Sequence, residues 1–242
     1  MSKSVIIIPS RLAASRFPNK PLIKINNKEL IIHVYEKAVK SGVGDVYVAT
    51  CDKEIASVVE NHGGKFILTK STHLTGTDRV YEASKKLDLQ LDDYIINVQG
   101  DEPMISPDDI SNLNNISKEN NLEFSTLAFK IKNYKDYQNE NIVKVLTKNE
   151  ISNFSISSAQ NFSRKFFDNI KYVYHHYGVY LYKLSTLEKF VNLDQSRNEK
   201  NERLEQLRAL DNNMNINVLL AKKFSLGIDT KDDLDKYYKL IN

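Results

Sequence analysis

The sequence predicts an α/β fold: a mostly parallel, Rossmann-like sheet flanked by helices, with a smaller β-rich part. Three observations carry this reading. Val5-Ile6-Ile7-Ile8 is β-branched throughout and reads as a strand buried on both faces. Helix-period and strand-period patterns then alternate through the first half of the chain, which is the βαβ rhythm of a parallel sheet. Finally, at 242 residues without an internal repeat or a Pro/Gly/Ser linker, the chain fits one domain over 1–242 with a substantial core.

The elements follow in order. The strand at 5–8 runs into a loop stiffened by Pro9, Pro18 and Pro21. Residues 29–40 place Leu30, Ile31, Val34 and Ala38 on one helical face, and 45–50 (DVYVAT) reads as a strand. A second helix is expected over 53–61, ended by Gly63-Gly64, with a short strand at 65–69. The polar segment 70–77 leads into a helix that aligns Val80, Ala83 and Leu87, and then to a strand at 94–98. Beyond Pro107 the periodicity loosens. Strand-like runs at 123–130, 141–146 and 173–182 place a β-rich region over roughly 123–182, covering one side of the sheet. A helix over about 199–210, a strand near 216–221 and a closing helix over 231–240 complete the chain, with Asn-rich pieces at 192–201 and 211–217 as surface loops.

Composition narrows the function. Thirty-four Lys plus Arg against 31 Asp plus Glu leave a net charge of only +3, without a basic tract, so a nucleic-acid partner is not expected. Cys51 is the single cysteine, which excludes an internal disulfide and a multi-cysteine zinc site and suits a reducing cytoplasm. Its plain reading is a small packed residue at a strand end. The N-terminal apolar run stops at Pro9, and no stretch approaches the roughly 18 apolar residues of a membrane span. A soluble, unprocessed, cytoplasmic protein is expected.

Several segments carry chemistry. The loop after the first strand sets Arg11, Arg16 and Lys20 at the carboxyl edge of the sheet, where α/β proteins bind ligands. Basic loop residues are most often simply solvated, so this loop needs a matching acidic site to become a phosphate site. Neither GxxxxGK[ST] nor GxGxxG occurs among the eight glycines. Phosphate binding would therefore fall on these side chains, Arg forking onto two oxygens and Lys acting as a mobile point charge. Asn97-Val98-Gln99-Gly100-Asp101-Glu102-Pro103 follows the strand at 94–98 at the same edge: Gly100 permits close backbone approach, and Asp101 offers a hard oxygen to magnesium. Asp229, in Leu226-Gly227-Ile228-Asp229-Thr230, is the candidate second carboxylate, although it also sits where a helix N-cap belongs. Gly76-Thr77-Asp78-Arg79 opens a helix whose N-terminus could take an anion, or whose Asp78 merely favours the dipole. In the strand His175-His176-Tyr177-Gly178-Val179-Tyr180, residues 176, 178, 180 and 182 share a face that is either ligand-binding or core. Adjacent histidines on a strand point to opposite faces, against a metal site there. Glu205 and Gln206, between Leu204 and Leu207, could reach a sugar hydroxyl or form an ordinary solvated helix face.

In this order, PSRLAASRFPNKPL, HLTGTDR, INVQGDEPMI, HHYGVY, ERLEQLR and GIDT resemble the segments of the CMP-Kdo synthetases, the 3-deoxy-manno-octulosonate cytidylyltransferases, over nearly the whole chain. The resemblance implies a nucleotidyltransferase domain whose β-rich part binds the sugar and forms a homodimer. Arg11, Arg16 and Lys20 would bind the CTP phosphates, and Arg79 and Gln99 would help hold nucleotide and sugar. Asp101 and Asp229 would bind Mg2+ and, with Lys20, form the catalytic set. His176, Tyr180, Glu205 and Gln206, with Gln99, would contact an acidic keto-sugar. The product would enter lipopolysaccharide or capsule synthesis.

One departure stands out. Where the family has Phe-Ser-Arg followed by Ile-Pro, this chain reads Phe154-Ser155-Ile156-Ser157-Ser158-Ala159-Gln160, so Ile156 replaces a cation expected near the sugar acid. This leaves Kdo, an 8-amino-Kdo variant and a nonulosonic acid as alternative substrates. Cys51-Asp52 in place of an acidic pair is a minor variant. A glycosyltransferase, which would release a nucleotide rather than pyrophosphate, and a non-catalytic sugar-nucleotide binding module are the rival readings.

Overall fold

The first strand, β1 (Ser4–Ser10), is buried over all seven residues, as its β-branched run requires. The computed structural model describes residues 2–13, 17–131, 133–153, 155–165, 167 and 171–241. After β1 come a 3-10 turn at Lys20–Leu22, the small hairpin β2 (Lys24–Ile25) and β3 (Lys28–Glu29), and α1 (Leu30–Lys40). The βαβ series continues through β4 (Asp45–Thr50), α2 (Lys53–Asn61), β5 (Lys65–Leu68), α3 (Gly76–Ser84) and β6 (Tyr94–Val98), at or within a few residues of the expected bounds. Then follow α4 (Pro107–Glu119), β7 (Phe124–Lys130), α5 (Tyr134–Gln138), β8 (Lys144–Thr147), β9 (Ser157–Ser163) and β10 (Val173–Lys183). The chain ends with α6 (Leu184–Val191), α7 (Arg197–Glu202), α8 (Gln206–Asp211), β11 (Asn217–Leu220) and α9 (Lys231–Ile241).

Successive residues of β1 face opposite cores, because strand side chains alternate. Val5 and Ile7 join Val80 and Ala83 of α3 with Leu187 and Phe190 of α6, whereas Ile6 and Ile8 join Ile31 and Val34 of α1 with Ile110 and Leu113 of α4. Two helical layers thus cover one sheet.

The sheet order is β5-β4-β1-β6-β10-β7-β11-β9-β8. The expected parallel part is β5-β4-β1-β6, and β7 also pairs parallel with β11; the remaining pairs are antiparallel. The β-rich region was expected to cover one side of the sheet. Instead its strands continue the same sheet, and a pairing of β8 with β10 curls β10, β7, β11, β9 and β8 into a barrel-like ring. β10 reaches both halves: residues 179–183 pair with β6 and residues 173–175 with β8. Its register against β7 shifts between His176 and Tyr180, where one partner strand gives way to the other. The candidate site sits at that changeover.

Two further corrections have local causes. The segment after Pro107 is helical: Pro107 occupies the first turn with Asp108 and Asp109, a favoured helix start rather than a break. The single helix expected over 199–210 is two helices, since Arg203 adopts φ 55° in the left-handed region. The buried pair Arg208–Glu199, with Nη2 to Oε1 at 2.6 Å and Nε to Oε2 at 2.9 Å, folds α8 back onto α7 across that break.

Candidate active site

The carboxyl ends of β1 and β6 point the same way because the strands are parallel neighbours. Their following loops therefore meet. Lys20 Nζ, from the loop after β1, donates to Asp101 Oδ2 at 2.8 Å, from the loop after β6, and to Asp229 Oδ1 at 2.9 Å, just before α9. Its side chain is 11% exposed. Burial works against the charged ammonium, but the two carboxylates outweigh it and hold the Lys20 pKa above its ordinary value. The N-cap alternative for Asp229 is answered by its neighbour: Thr230 Oγ1 accepts from Asp233 N–H and donates to Asp233 Oδ2, so Thr230 caps α9.

Two cavities adjoin this ion pair. One, of about 550 Å3, is lined by Ser10, Arg11, Lys20, Gly76 and Arg79; the other, of about 670 Å3, by His176, Gly178, Tyr180, Tyr182 and Gln206. Gln99, Asp101, Glu205 and Asp229 belong to both. The phosphate-type cations and the hydroxyl-rich strand face thus lie on either side of one acidic wall. Arg11 is exposed at the first cavity. Arg16 lies outside the described residues. Arg79 reaches the cavity wall, but its Nη1 is committed to Thr69 Oγ1 and the Lys70 carbonyl.

The α3 N-terminus has an unusual occupant. Thr75 and Asp78 form a capping box, the plainer of the two expected roles for Asp78. Ahead of it, the Glu205 carboxylate accepts from the Gly76 N–H at 3.1 Å, the Thr77 N–H at 3.2 Å and Thr77 Oγ1 at 2.5 Å. A negative charge is favoured there by the orphan N–H groups and the helix dipole. Glu205 therefore joins α3 to the second cavity rather than lying on a solvated face.

On β10, His176 is buried and its Nε2 lies 2.9 Å from Thr126 Oγ1. Thr126 Oγ1 donates to the Val179 carbonyl, so its hydroxyl proton is spent and the Nε2–H tautomer donates to it. Burial, then His175, pushes the His176 pKa down to about 3. A neutral imidazole offers a hydrogen bond and not a proton reservoir at neutral pH. Tyr180 and Tyr182 are buried in the core, one of the two expected roles for this face, and also line the cavity.

Glu102 is a site residue the sequence reading passed over. Its carboxylate points into the protein, with Oε2 accepting from Ser225 Oγ at 2.9 Å and Oε1 from the Gly178 N–H at 3.3 Å. Burial first, then the Asp101 carboxylate, pushes it up to about 7. Its place beside Asp101 was a usable signal; Ser225, 123 residues away, offered none. Ile156, at the departure from the expected motif, is half-buried and packs against the second apolar cluster; Phe154 lies outside the described residues. Among the described residues no helix is long and apolar enough to cross a membrane.

Comparison with known proteins identifies the family. A family model described as Cytidylyltransferase matches residues 5–216. The 3-deoxy-manno-octulosonate cytidylyltransferase of Thermodesulfovibrio yellowstonii is 42% identical, the match covering 99% of this chain and 98% of the relative. That of Paramagnetospirillum magneticum is 39% identical, covering 98% and 97%. A solved CMP:2-keto-3-deoxy-manno-octonic acid synthetase complexed with CTP superposes with a TM-score of 0.87 at 35% identity, over 99% of this chain and 98% of that one. A UDP-glucose pyrophosphorylase, 13% identical with a TM-score of 0.71, shares the fold alone.

Proposed function

The chain belongs to the cytidylyltransferase family, alongside the 3-deoxy-manno-octulosonate cytidylyltransferases, and from that premise we propose that it transfers CMP from CTP to the anomeric hydroxyl of Kdo, releasing pyrophosphate. The observation that carries this reading is the Lys20–Asp101–Asp229 cluster on the wall between two cavities. One cavity offers cations for a triphosphate, the other a buried hydroxyl- and amide-bearing face for a sugar. A reaction that joins a nucleotide to a sugar needs both ligands in contact across such a wall.

The roles follow from position. Arg11 and Lys20 hold the triphosphate, and Gln99 lies where both ligands meet. Tyr180, His176, Gln206 and Glu205 orient the sugar so that its anomeric oxygen faces the α-phosphorus. That oxygen forms a bond to phosphorus as the bond to the pyrophosphate oxygen breaks, and the hydroxyl proton leaves to solvent. With its pKa pushed down to about 3 by burial and its Nε2–H given to Thr126, His176 is a weak base and serves as a hydrogen-bonding group rather than as the proton acceptor. The sugar's carboxylate meets Arg164 and Arg203 on the second cavity's wall, so that cavity retains cations although Ile156 is apolar.

Magnesium fits the carboxylate pair. Oxygens of Asp101 and Asp229 both lie within 2.9 Å of one atom, Lys20 Nζ, so they converge on a single cation-sized point, and carboxylate oxygens are the hard donors that Mg2+ takes. Asp101 and Asp229 would hold the ion, which when bound neutralises charge on the triphosphate and favours departure of pyrophosphate. We further infer, from the family, a homodimer working in the cytoplasm and feeding lipopolysaccharide or capsule synthesis.

Pyrophosphate release, measured with Mg2+ across four nucleoside triphosphates and a panel of Kdo, 8-amino-Kdo and sialic acids, tests the proposal. Release with CTP and Kdo is expected. Preference for another sugar acid would move the substrate, and release of CMP from a sugar nucleotide in place of pyrophosphate would overturn the reaction.

A further inference from the structure

Asp229 sits in a stretch with no regular secondary structure, residues 221–230. No strand ladder fixes its carboxylate, yet that carboxylate meets the one on β6's loop at a common point. On its C-terminal side the Asp229 N–H donates to Asp233 Oδ2 at 3.2 Å; on its N-terminal side the segment is tied down by contacts to Asp101, Glu102 and Tyr177. Glu102 Oε2 accepts from Ser225 Oγ, and Oε1 accepts from the Gly178 N–H at the register shift of β10. The Asp101 carbonyl accepts from the Ile228 N–H at 2.8 Å. Tyr177 Oη accepts from the Ser225 N–H at 2.8 Å and donates to the Lys223 carbonyl at 3.2 Å. Three segments distant in sequence are therefore tied around one buried carboxylate, which is 8% exposed as a residue.

The packing around this carboxylate is close. A Cβ at Gly178 would lie 2.9 Å from Gln99 Cγ and 3.3 Å from Glu102 Oε1, and a Cβ at Gly227 would lie 3.3 Å from the same oxygen. Both positions are glycine, so backbone can press directly against the acid. A carboxylate with both oxygens taken up by Ser225 and Gly178 is occupied in holding protein to protein.

We propose that Glu102 is a positioning residue for the cation site: through Ser225 and Gly178 it sets the Asp229 carboxylate against that of Asp101. The proposal rests on the reading of Asp101 and Asp229 as a divalent-cation pair. Groups that hold metal ligands in place typically change affinity about 10–100-fold when removed. Loss of the Glu102 side chain loosens the segment before Asp229, leaving it the Ile228 and Tyr177 bonds, and weakens the ion in that range. The loop carrying Arg11 keeps its own anchor, the Leu12 N–H to Asp52 Oδ2 at 2.8 Å.

The test is Mn2+ titration followed by electron paramagnetic resonance, with a non-hydrolysable CTP analogue present, on the wild type, Glu102→Ala, Glu102→Gln, Ser225→Ala and Asp101→Asn. Glu102→Ala is expected to bind Mn2+ about 10-fold or more weakly. Ser225→Ala shifts affinity the same way by a smaller factor, although it removes no carboxylate. Glu102→Gln, which keeps an acceptor for Gly178 and a partner for Ser225, stays near the wild type. Circular dichroism checks each fold, and Ser225→Ala decides the matter should Glu102→Ala not fold. Wild-type Mn2+ affinity in folded Glu102→Ala, or in Ser225→Ala, overturns the proposal. Mn2+ binding unaffected by Asp101→Asn would overturn the reading of the pair itself, and this proposal with it.

Discussion

Lys20 Nζ lies 2.8 Å from Asp101 Oδ2 across 81 residues of sequence, and the same nitrogen lies 2.9 Å from Asp229 Oδ1. One ammonium thus occupies the point where two carboxylates converge. A divalent cation bound there competes with it for the same oxygens. Removing the ammonium leaves two facing carboxylates without a counter-charge, which costs stability until another cation arrives. Lys20→Met is therefore expected to melt below the wild type in EDTA and to gain more from added Mg2+ than the wild type does, by the linkage of binding to stability. Its KM for CTP should rise about 10-fold or more, the effect of losing one charge-assisted contact. Thermal scans with and without Mg2+ check the first effect and initial rates the second; equal Mg2+ gains in both proteins would show that Lys20 and the ion do not share a site.

Asp101→Asn keeps the shape of the carboxylate and removes its charge. Pyrophosphate release is expected to fall about 100-fold or more, the scale of losing a preorganised electrostatic group at a reacting centre. The Asp101 backbone carbonyl still accepts from Ile228, so the fold should persist. Rates with CTP and Kdo beside a far-ultraviolet circular dichroism spectrum test both halves. Near-normal turnover would remove Asp101 from the catalytic set.

This convergence was readable because strand ends are local signals. Val5 to Ile8 and Tyr94 to Val98 are short apolar runs, parallel strands present their carboxyl ends together, and charged residues after two such strands must meet. The helix at Lys53–Asn61 was equally local and fell within its expected bounds. What escaped was long-range. β8 closes onto β10 through antiparallel pairs that no periodicity announces, and Ser225 reaches Glu102 only because the chain folds back there. α4 escaped because Asn114 and Ser117 dilute its buried stripe, leaving Ile110 and Leu113 as its buried apolar anchors. The break at Arg203 was hidden by a leucine pattern that runs on through it, with Leu204 and Leu207 both buried.

Thr77 tests the join between the two cavities. Its hydroxyl donates to Glu205 at 2.5 Å and is enclosed, the residue being 2% exposed. A hydrogen bond to a charged group contributes about 1.5–3 kcal/mol, so Thr77→Val should raise the KM for the sugar about 10-fold or more with less effect on the KM for CTP. Thr77→Ser, which keeps the hydroxyl, should restore it. Initial rates with each substrate varied separately give the two constants; a Thr77→Val enzyme with unchanged sugar KM would confine Glu205 to capping α3.

The Arg208–Glu199 pair lies beneath the segment that presents Glu205 and Gln206, with both side chains under 5% exposed at 3% and 4%. Breaking a buried pair from one side strands the other charge and costs about 3–5 kcal/mol. Arg208→Leu and Glu199→Gln should each lower the urea midpoint accordingly. The double variant Arg208→Leu/Glu199→Met, which leaves no stranded charge, should recover much of the loss. A double variant as unstable as the sum of the singles would mean that the pair acts through packing alone, in keeping with the guanidinium's position 5.0 Å from the Phe190 ring centre.

His176 gives the pH dependence a sign. Burial holds its folded pKa at about 3, and that of the adjacent His175 at about 4, against an ordinary value of 6.5. Below pH 6.5 the unfolded chain therefore takes up protons that the folded chain refuses. Stability from these groups is complete above pH 6.5 and is lost as pH falls toward the folded values. Each histidine contributes a slope of about 1.4 kcal/mol per pH unit within its window, once the unfolded imidazole is protonated. His176→Gln, whose amide can still meet Thr126 Oγ1, removes one of these slopes. Urea unfolding at pH 7, 6 and 5 should show the wild type losing stability faster than His176→Gln on acidification, the two curves converging toward pH 5. Parallel curves would mean that His176 is protonated in the folded protein, and the neutral, hydrogen-bonding role assigned to it at the sugar cavity would have to be withdrawn.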